Sequence, residues 1–135
     1  MLSMKSQYAF KALTLLAEKY TEGPVLISDI AQKKKIPLKF LENILLELKK
    51  ADILDSKKGK GGGYFLKQAP EKVKVATVIR LINGPIAMLP CVSLYFYERC
   101  KNCNEKHCGL HDMMIEVRDA TLQVVENRTL KDLLL

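Results

Sequence analysis

A mainly α domain that carries a small β hairpin and ends in one long C-terminal helix is the fold class the sequence predicts. Three observations lead there. Apolar residues recur at helical spacing in several stretches of the 135-residue chain. A glycine-rich, basic connector, Lys58-Gly59-Lys60-Gly61-Gly62-Gly63, separates two short runs of strand character. Finally, 48% hydrophobic and 27% charged residues, with seven Gly and five Pro, describe an ordinary globular domain and exclude a disordered or fibrous chain.

The elements follow in order. Residues 6–20 read as a helix with Ser6 as its N-cap and Ala9, Leu13, Leu16, Ala17 and Tyr20 on its inner face. Glu22-Gly23-Pro24 stops it, and Val25-Leu26-Ile27 is a short extended run. Ser28 is suited to cap a helix from Asp29 to about Lys34, and Lys35-Ile36 makes a tight turn. Pro37 then sits near the first position of a helix to about Ala51, where its missing N–H costs little. Leu38, Leu41, Ile44, Leu45 and Leu48 form the inward stripe of that helix, while Lys39, Glu42, Asn43, Glu47, Lys49 and Lys50 fall largely outside. Two helices joined by a tight turn, the second with a polar outer face, form the pattern of a helix-turn-helix.

The strands are Ile53–Lys57 and Tyr64–Lys67, and the hairpin they make after a helix-turn-helix reads as a wing. Lys74–Ile82 returns to helical periodicity and ends at Asn83-Gly84-Pro85. Residues 84–109 lose periodicity and hold all four cysteines. From Leu110 a helix resumes, with Leu110, Met113, Val117, Ala120 and Val124 in one row and Met114, Ile115, Leu122 and Val125 in another. Two apolar rows suit packing on its own domain and on a partner chain; a core helix of a monomer is the plainer reading. Thr129 caps a last turn from Leu130 to Leu134.

Charge supplies the first functional lead. Residues 1–74 hold 15 basic and 8 acidic side chains, residues 75–135 seven of each, so the whole net charge of +7 sits in the N-terminal half. Such segregation suggests a polyanion, nucleic acid ahead of an anionic membrane surface. At the start of the second helix of the pair, Lys39 and Asn43 can donate to base edges or phosphates. Glu42 can accept from a cytosine amino group, and Phe40 can lie against a thymine methyl. Lys57, Lys58 and Lys60 of the wing suit phosphates or a minor groove, with glycines that allow close backbone approach. Singly, each of these residues is more often a solvated surface group or a hairpin turn; in this order they point to DNA. The run Gly59–Gly63 lacks the spacing and hydroxyl of a phosphate loop, and Asn127-Arg128-Thr129 is a glycosylation triplet without meaning in a cytosolic chain.

The cysteines supply the second lead. Cys91, Cys100, Cys103 and Cys108 lie within 18 residues, followed by His111. Such a set can wrap an iron–sulfur cluster, close a tetrahedral zinc site, or act as thiols through the Cys100-Lys101-Asn102-Cys103 pair beside Arg99 and Lys101. Spacing leaves cluster and zinc open, with redox thiols behind. No stretch approaches the roughly 18 apolar residues of a membrane helix. Met1–Gln7 lacks the apolar run of a secretory signal, so a cytoplasmic location and no membrane partner are expected. No Ser/His/Asp or paired-carboxylate constellation stands out, so an enzyme is not expected.

Over essentially its whole length the chain resembles the IscR/NsrR/CymR type of winged-helix transcription regulators, bacterial dimers that often sense through an iron–sulfur cluster. The resemblance rests on Pro37-Leu38-Lys39-Phe40-Leu41-Glu42-Asn43-Ile44-Leu45, on Ser56 to Tyr64 in the wing, on the cysteine loop and on Thr129-Leu130-Lys131-Asp132-Leu133. It implies a winged helix-turn-helix DNA-binding domain over 1–83, a cysteine-rich cluster-binding loop over 84–109, and a dimerisation helix with a C-terminal turn over 110–135. It implies base reading by Lys39, Phe40 and Glu42. Lys58 stands where the family usually has an arginine, keeping the charge but losing the fork. Cys91, 27 residues after Tyr64, takes the place of the first cluster cysteine, and Cys108 with His111 matches the last cysteine and the histidine ligand of some members. The middle of the loop is longer than the simple three-cysteine pattern: Cys100 or Cys103 could be the middle ligand, and an all-cysteine site is possible. The expectation is a homodimeric repressor of an inverted-repeat operator, responding to a cluster of 2Fe-2S type ahead of 4Fe-4S. The alternatives are a zinc-stabilised or thiol-redox regulator and a regulatory subunit acting through a protein partner.

Overall fold

The computed structural model describes residues 2–135. Helices α1 (Met4–Glu18), α2 (Ile27–Lys34) and α3 (Leu38–Lys50) precede strands β1 (Leu54–Lys57) and β2 (Gly63–Leu66), then α4 (Val75–Ile82) and a long α5 (Gly109–Val125). The fold is therefore mostly helical with a two-stranded antiparallel wing, as the sequence predicts. Leu54 pairs with Leu66 and Lys57 with Gly63 at the two ends of the hairpin. Among the described residues, no helix is long and apolar enough to cross a membrane.

The core lies between α1, α3 and the hairpin. Leu13 and Leu16 of α1 meet Leu41, Ile44, Leu45 and Leu48 of α3, with Ile30, Leu54, Leu66 and Val78 closing the sides. Spacings of three and four residues bring these side chains onto one face of each helix. Leu130, from the far end of the chain, is 0% exposed within the same cluster. Its N–H donates to the Val73 carbonyl at 3.0 Å, and the Val75 N–H donates to Arg128 at 2.9 Å. The C-terminal turn is thus sewn into the N-terminal core, with the Asp132 carboxylate accepting from the Thr129 N–H at 2.8 Å.

Several local expectations need correction. The cap of α1 is Ser3, whose Oγ accepts from the Ser6 N–H at 3.1 Å; Ser6 is buried and donates to Asn83 Oδ1 at 3.1 Å. The helix stops at Glu18 because Thr21 turns left-handed at φ 78°, which leaves Tyr20 exposed. Ser28 does not cap α2. Val25 exchanges two 2.8 Å backbone hydrogen bonds with Tyr64, and this tie starts the helix at Ile27, with Leu26 at the cap. Pro37 sits at the cap of α3, one residue before its first turn. Leu38 is exposed rather than part of the stripe, because the first turn of α3 projects beyond the core. Lys49 is half-buried and donates to Ser56 Oγ at 2.6 Å, tying α3 to the wing.

No residue of α5 is fully buried. Its row Met114, Ile115, Leu122 and Val125 is half-buried, whereas Leu110, Met113, Val117, Ala120 and Val124 are exposed. Two rows on one helix have met different surroundings: one packs on the chain itself, the other faces outward.

Candidate functional site

At the turn between α2 and α3, Lys35 adopts a left-handed conformation (φ 54°, ψ 50°) and its N–H returns to the Ala31 carbonyl. Ile36, buried, pins the turn to the core. The first turn of α3 emerges with Lys39, Phe40, Glu42 and Asn43 all exposed. No side chain caps this helix, so its leading N–H groups and the positive end of its dipole point outward, a setting that favours phosphate. Phe40 is 41% exposed, and its ring is met edge-on by Tyr8 of α1 at 5.6 Å between centroids and 82° between planes. One turn further along, Glu47 is engaged by Lys5 at 2.5 Å, so α1 steadies the outer face of α3 at two points.

The wing brings Lys57, Lys58 and Lys60 to its tip, all exposed and, among the described residues, in no ion pair. Its glycines answer to the hairpin itself. Gly59 and Gly61 take φ of 87° and 75°. A Cβ on Gly62 would lie 2.2 Å from the Lys57 carbonyl oxygen, and one on Gly63 2.2 Å from that of Val25. The close approach anticipated towards a ligand is thus, for Gly62 and Gly63, an approach of the chain to itself. The Gly59–Gly63 run is a hairpin tip.

The cysteine loop leaves α4 at Asn83 and returns at α5. Cys91 lies in the 3₁₀ turn Pro90–Val92, Cys100 is exposed, and Cys103 and Cys108 are half-buried. All four are free thiols, and all four line one cavity of about 330 Å³ together with Leu89, Leu110 and Glu98. Cys108 is the N-cap of α5, its Sγ accepting from the His111 N–H at 3.4 Å. The His111 imidazole is not part of the cavity wall. Its Nδ1 is buried without a hydrogen-bond partner among the described residues, with Asp112 Oδ1 3.6 Å away.

Burial pushes the Cys103 thiol up to about 11, and the neighbouring Cys100 and Cys108 thiols add to the rise. The second thiol of the Cys100–Cys103 pair is therefore held protonated in the metal-free chain. Among the described residues, no three His, Cys, Asp or Glu side chains already surround a common point at ligand distance. The donor set nevertheless fits a soft metal or cluster: four thiols line one cavity, and one buried imidazole nitrogen has no hydrogen-bond partner among the described residues.

Several supporting residues escaped the sequence reading. Tyr8 backs Phe40. The Arg118 Nη1 donates to the Val92 carbonyl at 2.8 Å, and the Arg80 guanidinium lies 4.5 Å from the Tyr95 ring centroid. Each joins segments far apart in the chain, and no local spacing marks them.

Comparison with known proteins agrees with this geometry. The Rrf2 family, described as an iron-dependent transcriptional regulator, matches residues 2–135. An Rrf2-like HTH-type transcriptional regulator of Rhodobacter capsulatus is 40% identical over 138 residues, covering 99% of this chain and 92% of the relative. The structure of CymR, the global cysteine regulator of B. subtilis, matches with a TM-score of 0.82 at 28% identity, covering 98% of this chain and 95% of that one. IscR of T. potens matches with a TM-score of 0.78 at 26% identity, covering 98% and 85%.

Proposed function

The chain belongs to the Rrf2 family of transcriptional regulators, and from that premise we propose that it is a homodimeric, cytoplasmic repressor whose operator binding responds to an iron–sulfur cluster in the 84–109 loop. It is a DNA-binding regulator of helix-turn-helix type and not an enzyme. The observation that carries the cluster reading is the convergence of Cys91, Cys100, Cys103 and Cys108 on one cavity. These four thiolates would hold the cluster, of 2Fe-2S type ahead of 4Fe-4S, with His111 as the alternative to one of them. When bound, such a cluster supplies a redox-sensitive crosslink between the two ends of the loop.

The chain does the rest. Residues 1–83 bind DNA: Lys39, Phe40, Glu42 and Asn43 enter the major groove, while Lys57, Lys58 and Lys60 follow the backbone or minor groove beside it. Residues 110–135 supply the dimerisation helix and the turn that returns to the core. The outward row of α5, Leu110, Met113, Val117, Ala120 and Val124, is the surface for a second copy. Cys108 caps α5, so ordering of the loop fixes where that helix begins. The position of α5 in turn sets the spacing of the two recognition helices. That spacing selects half-sites about one helical turn apart in an inverted repeat.

The test is an oxygen-free purification followed by an absorbance spectrum and iron, sulfide and zinc analysis of one sample. Visible absorbance with matched iron and sulfide supports the reading. Stoichiometric zinc without sulfide replaces the cluster with a zinc site, and no metal after reconstitution refutes both.

A further inference from the structure

The loop that carries the cysteines is short of apolar anchors: Leu94, Tyr95, Phe96 and Tyr97 are all exposed. Its first part is nonetheless held. Val92 is 2% exposed, and Ser93 is buried with its Oγ accepting from the Phe96 N–H at 3.0 Å. Arg118 of α5 is nearly buried and donates through Nη1 to the Val92 carbonyl at 2.8 Å, one residue beyond Cys91. Its Nε donates at 2.9 Å to Asp119, which orients the guanidinium fork. Arg80 of α4 pairs with Glu126 of α5, and its guanidinium lies 4.5 Å from the centroid of the Tyr95 ring. Two arginines, one from each helix beside the loop, therefore grip the chain on the C-terminal side of Cys91.

We propose that Arg118 and Arg80 are positioning residues of the cysteine site: through the Val92 carbonyl and the Tyr95 ring they hold the Cys91 turn against α4 and α5. The proposal rests on the reading of the cysteine loop as the sensing site, but the grip itself is a property of the metal-free chain. It gives that loop a physical tie to both helices, so a change at Cys91 is felt at α5 through a hydrogen bond and at α4 through a stacked cation. A backbone carbonyl held by a charged donor fixes the orientation of its residue more firmly than a neutral contact would. Outer groups that orient ligands without touching the metal have this role in metal sites generally.

The test uses the full, reduced, metal-free chain. Iodoacetamide labelling is followed cysteine by cysteine by mass spectrometry, and the exposed Cys100 serves as the internal reference. Arg118→Met raises Cys91 labelling relative to Cys100 by about tenfold, the scale of one lost charge-assisted hydrogen bond, while the ratios for Cys103 and Cys108 stay as they were. Arg118→Lys, which keeps one donor, falls between the two. Arg80→Met gives a smaller rise at Cys91 and serves as the second variant should Arg118→Met fail to fold. An unchanged Cys91 ratio in Arg118→Met, or in Arg80→Met should Arg118→Met not fold, overturns the proposal. So does a rise shared equally by Cys103 and Cys108, which reports general opening of the loop. Absence of iron and sulfide after reconstitution defeats the cluster reading alone and leaves this labelling result standing.

Discussion

Replacing Lys58 and Lys60 together by alanine tests the wing most directly. Both side chains are exposed at the hairpin tip and, among the described residues, neither forms an ion pair. The tip geometry is set by Gly59 and Gly61, which the change leaves untouched. Folding stability should therefore move by less than about 0.5 kcal/mol, the usual range for surface positions. DNA binding should change much more. Each phosphate neutralised contributes about −0.9 to the slope of log K against log salt, so two lysines in each of the two wings of the proposed dimer contribute about −3.6. At about 0.15 M salt the same four contacts amount to roughly a thousandfold in affinity. Fluorescence anisotropy with an operator duplex and a scrambled duplex, across a salt series, reads both quantities. The double variant should bind both duplexes more weakly and with a flatter slope. An unchanged slope, or a loss confined to the operator, would refute the assignment of these lysines to the phosphate backbone.

Three further outcomes follow from the packing. Gly63→Ala forces a Cβ to within 2.2 Å of the Val25 carbonyl oxygen at a backbone φ of 140°, so the Val25–Tyr64 tie must break. The variant should lose operator binding and melt well below the parent, seen by circular dichroism and anisotropy. Leu130→Ala empties a fully buried site in the N-terminal core and should cost about 3 kcal/mol, lowering the melting temperature by about 10 °C in calorimetry. The Cys103 thiol, raised from 9.0 to about 11, binds its proton more tightly in the folded than in the unfolded chain. Its stabilising contribution is complete below pH 9 and is lost between pH 9 and about 11, so the metal-free chain should show a fall in urea midpoint across that window which Cys103→Ala lacks.

Much of this molecule was legible because helices and hairpins write themselves locally. The inward stripe of α3, from Leu41 through Leu48, needs only the 3.6-residue repeat, and it is buried as that repeat requires. The hairpin was legible for the same reason, since a glycine-rich connector between two strand-like runs leaves the chain few alternatives. Helix ends were less legible. Ser6 and Ser28 both satisfy the composition of an N-cap, yet Ser3 and Leu26 occupy those places because Ser6 is drawn to Asn83 and Val25 to Tyr64.

By itself the sequence determined the order and type of the elements, the concentration of positive charge in residues 1–74, and the inventory of donors in the cysteine loop. These depend on near neighbours along the chain or on counting, and no folding is required to read them. Only the tertiary structure decided that Leu130 belongs to the core built by α1 and α3, and that the outward row of α5 is Leu110–Val124 rather than Met114–Val125. It also decided that four cysteines face one cavity while the His111 imidazole stays off its wall, and that Arg118 reaches back to Val92. Each of these joins groups that the chain keeps apart. Such pairings depend on how all the apolar faces pack at once, and a local periodicity carries no record of which distant surface it will meet.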